Sequence, residues 1–109
     1  MFQTTNPEED KYVPKAYLVA CYREVKDADV VASYAKLAGP AVKANGGRFL
    51  ARGGRVQSLE GGIEERTVII EFESFDAAVA HYHSDAYKAA LAALGDAAVR
   101  DMRVVEGVD

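Results

Sequence analysis

The alternation of apolar and polar positions divides the chain into six ordered stretches behind a polar tail. Lys15 to Tyr22 (KAYLVACY) holds seven successive apolar or aromatic residues from Ala16 onward. Such a run predicts a strand covered on both faces. Asp27 or Asp29 then offers a helix cap, and Val30, Tyr34, Leu37 and Ala41 recur at the three-to-four spacing of a helix with one buried face. Gly39-Pro40 interrupts this stripe, because proline lacks an amide donor and crowds the preceding turn; a kink or a short second segment is expected there. Asn45-Gly46-Gly47 ends the helix.

The next strand is predicted over Arg48 to Gly54 (RFLARGG). A loop from Arg55 to Glu65 follows, with the diglycines Gly53-Gly54 and Gly61-Gly62 at its ends. Arg66 to Glu73 (RTVIIEFE) predicts a third strand with Val68, Ile70 and Phe72 on one face. Ser74 caps a helix whose buried side carries Val79 and Tyr82. Ser84-Asp85 caps a fresh helix, with Tyr87, Leu91 and Leu94 on one face and Gly95 at its end. Asp101 to Glu106 (DMRVVE) is the expected last strand. Residues 1–14 read as a mobile tail, with two prolines and the acidic run Glu8-Glu9-Asp10. Residues 15–109 make a single domain.

The order strand, helix, strand, strand, helix, strand specifies an α+β, ferredoxin-like βαββαβ fold: a four-stranded antiparallel sheet with helices on one face. The most apolar strands fall at its centre. The strands assigned to the edges carry Arg48, Arg52, Asp101 and Arg103, and charge on an edge blocks unwanted pairing. Tyr17, Val19 and Cys21 lie opposite Leu18, Ala20 and Tyr22, and Ile69 lies opposite Val68 and Ile70, so both sheet faces are apolar. The helices cover only one of them. The other predicts a homodimer with sheets packed face to face, each forming half of a dimeric α/β barrel.

Composition narrows the function by exclusion. The net charge is −4, from 17 acidic and 13 basic residues with no long basic cluster, which argues against nucleic acid and anionic membranes as partners. There is no apolar run of about 18 residues for a membrane span and no signal-peptide core. The single cysteine, Cys21, reads as a small buried hydrophobe in a reduced, cytoplasmic protein. No dinucleotide fingerprint or phosphate loop occurs, since neither diglycine is followed by Gly-Lys-Ser/Thr. No cofactor is expected.

Several short pieces together carry a resemblance: Gly46-Gly47-Arg48-Phe49-Leu50, Arg52-Gly53-Gly54, Leu59-Glu60-Gly61, Glu71-Phe72, Ser74-Phe75 and Tyr82-His83-Ser84-Asp85-Ala86-Tyr87. From Tyr17 to its end the chain resembles the small bacterial family called domain of unknown function thirteen-thirty. That resemblance implies membership of the dimeric α/β-barrel superfamily, which also holds cofactor-independent monooxygenases, chlorite-dismutase-like haem proteins and muconolactone-isomerase-like enzymes. The chain departs from the family pattern twice. His81 stands where tryptophan is usual, and Leu94-Gly95 stands where an arginine commonly follows the helix of Tyr87.

Glu60, between a leucine and two glycines in a loop expected near the barrel mouth, is the candidate general acid or base. The competing reading is an acid that orders the loop by accepting backbone hydrogen bonds. His81 is the second candidate catalytic group, weighed against a half-exposed surface histidine. His81 and His83 do not make a metal site, because residues two apart on a helix point apart and no further ligand cluster exists. Tyr82, Tyr87 and Arg52 are the candidate ligand-binding residues, with Arg48, Arg55 and Arg66 adding positive bias; edge protection also explains Arg48 and Arg52. Two functions compete. One is a cofactor-independent enzyme of monooxygenase or isomerase type acting on a small organic molecule. The other is a non-catalytic dimeric module for small-ligand binding or a stress response.

Overall fold

The computed structural model describes residues 12–108 of the chain. The expected mobile tail falls mostly outside the described residues, as does Asp109. The elements are β1 (Ala16–Val25), α1 (Ala28–Ala44), β2 (Arg48–Arg52), β3 (Thr67–Phe72), α2 (Phe75–Tyr82), α3 (Asp85–Leu94) and β4 (Ala98–Glu106). They form an α+β fold whose four strands pair in the order β2-β3-β1-β4, antiparallel throughout. The apolar β1 and β3 occupy the centre as their composition requires.

Each helix begins where a side-chain oxygen satisfies free amides. Asp27 accepts from the amides of Asp29 and Val30, Ser74 from Ala77, and Ser84 from Tyr87. The helices lie on one sheet face, where Ala16, Leu18, Ala20, Tyr22, Val68, Ile70 and Phe72 share a core with Val31, Tyr34, Val42, Ala78, Tyr87 and Leu94. Burying each of the larger side chains contributes roughly 1.5–3 kcal/mol.

Three expectations change on contact with the tertiary structure. First, α1 runs through Pro40 as one helix, so no short second segment forms there. Ala38, Ala41 and Val42 flank the proline and are all buried, so packing on both sides carries the helix past the lost hydrogen bond. The buried stripe also turns by about one residue: Val31 and Ala38 face the core, while Leu37 is exposed. Second, β4 begins at Ala98 rather than Asp101, because Tyr22 pairs with Arg100 and β1 continues past a bulge to Val25, pairing with Val99 and Ala98. Third, Cys21 is exposed rather than buried.

That cysteine sits on the open face of the sheet. Tyr17, Val19 and Ile69 are half-buried there, and Val105 is exposed. Ion pairs flank them: Arg48 with Glu71, and Arg23 and Arg103 with Asp101.

Candidate functional site

Between α1 and the helix-covered sheet face lies a cavity of about 30 Å³. Its floor and sides are mostly apolar, with Leu18, Val42, Phe49, Ile70 and Met102 among them. Its polar lining consists of three arginines, Arg52, Arg66 and Arg100, and three tyrosines, Tyr22, Tyr34 and Tyr87. No aspartate or glutamate lines it, and none of the three guanidiniums has a carboxylate partner among the described residues.

The backbone places each arginine. Arg52 ends β2 opposite Val68 and reaches across to α1, where its Nη2 donates to the carbonyl of Ala35 at 3.1 Å. Its guanidinium lies 4.2 Å from the centre of the Phe49 ring. Gly39 makes room on the helix, since a Cβ there would sit 3.0 Å from Arg52 Nη2. Arg66 closes the long loop, and its guanidinium rests against Gly53. That glycine has φ +73°, and a Cβ on it would collide with Arg66 Nη1; only glycine meets both demands. Arg66 lies 5.7 Å from the Tyr22 ring, and its buried Nε–H has no acceptor among the described residues.

Arg100 is opposite Tyr22 on β4, so both side chains project to the same face. Its Nη1 donates to the hydroxyl of Tyr34 at 2.9 Å and, more weakly, to that of Tyr87 at 3.5 Å. The two hydroxyls share a hydrogen bond. Burial, and then the neighbouring Tyr87, push the Tyr34 hydroxyl above its ordinary pKa, with Arg100 pulling the other way. The hydroxyl therefore keeps its proton at neutral pH, and either hydroxyl of the pair can be the donor.

The sequence-derived candidates separate in space. Tyr87 and Arg52 line the cavity. Tyr82 lines a different, more open groove of about 250 Å³ between α2 and β4, with Val79, His83, Met102 and Val104. Glu60 is exposed on the loop with φ 59° and lines neither space.

His81 is only 1% exposed, so the surface alternative weighed for it does not hold. It and Ala78 form the buried stripe of α2, where the sequence pattern favoured Val79 and Tyr82. Its ring lies 5.0 Å from Phe72 and 4.7 Å from Tyr87, centre to centre, taking the place of a flat core aromatic. Asn45, which caps the end of α1, donates through Nδ2 to His81 Nδ1 and to Ser84 Oγ, each at 3.0 Å. The histidine proton is therefore on Nε2, which has no partner among the described residues. Burial lowers its pKa and keeps it neutral.

Tyr34 and Arg100 were not identified from sequence as site residues, and Arg66 entered only as local positive bias. The available signal was the alternation Ala98, Arg100, Met102, Val104, which continues the last strand backwards on one face. Among the described residues there is no cluster of His, Cys, Asp or Glu of metal-binding size, and no helix is long and apolar enough to cross a membrane.

A family model described as "Domain of unknown function (DUF1330)" matches residues 15–108. None of the curated proteins matches the chain. Among solved structures, a protein of unknown function from Rhodopseudomonas palustris is similar with a TM-score of 0.68 and 20% identity, over 92% of this chain and 85% of that one. A Caulobacter crescentus protein provisionally assigned as an antibiotic biosynthesis monooxygenase gives 0.58 and 22%, over 94% and 97%. A dimeric ferredoxin-like protein of unknown function from Thermobifida fusca gives 0.56 and 19%, over 87% and 91%. At these identities the likeness concerns the fold, which is ferredoxin-like.

Proposed function

Because the chain belongs to the DUF1330 family, a domain of unknown function, we propose its role from its own side chains: a homodimeric module that binds a small organic molecule in the cavity between α1 and the sheet. The carrying observation is that this cavity collects the polar donors Arg52, Arg66, Arg100, Tyr34 and Tyr87 on an otherwise apolar wall. Apolar walls with a few convergent polar groups are the usual make-up of a small-molecule site. The dimer forms through the open sheet face. Its apolar centre of Tyr17, Val19 and Ile69 and its flanking ion pairs suit a self-complementary interface, and the Thermobifida fusca relative is a dimeric protein. The exposed, unpaired Cys21 suits a reducing compartment such as the cytoplasm.

The second reading, a cofactor-independent enzyme of monooxygenase or isomerase type, draws on the fold shared with the Caulobacter crescentus protein and on donors able to stabilise a developing oxyanion. It needs a base at the reacting atom. Glu60 is exposed outside the cavity and His81 is buried without lining it, so binding is the better supported function.

The test is thermal-shift screening of small organic molecules against the native protein and the cavity-filling variant Ala38→Val, since Ala38 is a buried lining residue. Ligands that stabilise the native protein should lose their effect on Ala38→Val and keep it on Glu60→Gln. Ligands unaffected by Ala38→Val and abolished by Glu60→Gln would move the site to the loop.

A further inference from the structure

The chemical class of the ligand follows from what the cavity wall offers, taking as given that the cavity is the ligand site. We propose that it binds the carboxylate end of a short-chain organic acid. Arg66, Arg100 and the Tyr34–Tyr87 hydroxyl pair are its donors, and Arg52 is the outer cation.

Hydrogen-bond accounting carries the argument. Guanidinium groups donate and cannot accept, and a phenol both donates and accepts. Arg100 donates to the tyrosine oxygens, and one hydroxyl proton is used between Tyr34 and Tyr87. The pair holds two hydroxyl protons, so one is left to give. The buried Nε–H of Arg66 is likewise unspent. A buried donor without an acceptor is costly and calls for an explanation. A bound acceptor supplies one, and an anionic acceptor forms the stronger, charge-assisted bonds.

Charge points the same way. The chain has 17 acidic residues against 13 basic ones, so carboxylates are plentiful. Arg23, Arg48 and Arg103 each have one. The arginines at the cavity have none among the described residues, and the cavity lining contains no acid. An ammonium ligand would meet like charge there, and a neutral amide would leave the guanidinium charge unanswered.

Size and wall polarity choose among anions. A space of about 30 Å³ holds about two or three water-sized groups, the scale of a planar carboxylate. The carboxylate fills that space, so a short hydrocarbon body extends out of it past Phe49 and Met102, the partly exposed apolar residues of the wall. A fully hydrated dianion such as phosphate would lose more solvation against those residues than a monoanion does.

The experiment compares propionate, propionamide, propylammonium and inorganic phosphate by calorimetric titration and thermal shift, using the intact chain. Propionate should bind and stabilise, while the amide, the amine and phosphate bind at least ten-fold more weakly. Arg66→Met and Arg66→Lys should each weaken propionate at least ten-fold, because neither replaces the Nε–H. Arg48→Met, which removes a surface ion pair, should not weaken it. Propionate should also shift the Arg66 Nε–H resonance. Arg100→Met should weaken binding as well; if that variant does not fold, the Arg66 variants decide.

Equal binding of propionamide, tighter binding of phosphate, or propionate binding indifferent to both Arg66 substitutions would overturn the carboxylate assignment. In that event, neutral ligands still excluded by Ala38→Val would leave the cavity as the binding site. If no small molecule of any charge responds to Ala38→Val, the binding function itself falls too.

Discussion

Gly53→Ala measures how firmly the loop end holds Arg66 at the cavity. Gly53 has φ +73°, and placing an L-residue in that region costs roughly 1–2 kcal/mol. The new methyl would also collide with the Arg66 guanidinium. Rotating that side chain away gives up its contact with the Tyr22 ring at 5.7 Å, worth roughly 0.5–1 kcal/mol. The expected loss is about 2 kcal/mol from these two effects together, or about 10 °C in melting temperature for a domain of this size. Urea denaturation at one fixed protein concentration reads it, since the stability of the proposed dimer would depend on concentration. The Arg66→Met background separates the contributions. There the backbone cost remains and the collision with the guanidinium disappears, so the double-mutant cycle should show a coupling of about 0.5–1 kcal/mol. A total loss below about 0.5 kcal/mol, or a coupling of zero, would refute the placement of Arg66 against Gly53.

Three further outcomes are expected. His81 is held neutral by burial, with a folded pKa below its ordinary value of 6.5. The unfolded chain therefore takes up the proton first as pH falls, and stability present above pH 6.5 should decline below it; thermal melts from pH 7.5 to 5 should show this fall, and His81→Phe should flatten it. Tyr34→Phe removes the hydroxyl that Arg100 and Tyr87 share and should cost about 1–3 kcal/mol by denaturation while leaving the secondary structure unchanged. Val19→Lys places a charge at the centre of the open face, where Val19 pairs with Ile69, and should convert the proposed dimer to monomer in sedimentation velocity without unfolding the chain; a native protein already monomeric at micromolar concentration would remove the interface.

The sequence by itself determined the element types, their order and the strand positions in the sheet. These depend on local periodicity, on caps such as Ser74 and Ser84, and on the apolar content of AYLVACY and TVIIEF. It also marked both sheet faces as apolar, because a period of two exposes the opposite faces of a strand to direct inspection. Only the tertiary structure decided which side chains meet. Arg66 and Arg100 are far apart in the chain, and they line one cavity because β1 pairs with both β3 and β4. Arg100 turns inward because β1 extends past Tyr22 and pairs with β4 back to Ala98; the alternation Ala98, Arg100, Met102, Val104 marks the face, but the length of the strand is set by the pairing. His81 is buried because α2 is rotated by its packing on Phe72 and Tyr87, which outweighs the apolar preference of Val79 and Tyr82. Glu60 stood out for its glycine neighbours, but it is Glu60 itself that takes the positive φ of the turn, and where the turn points is set by the sheet that carries it.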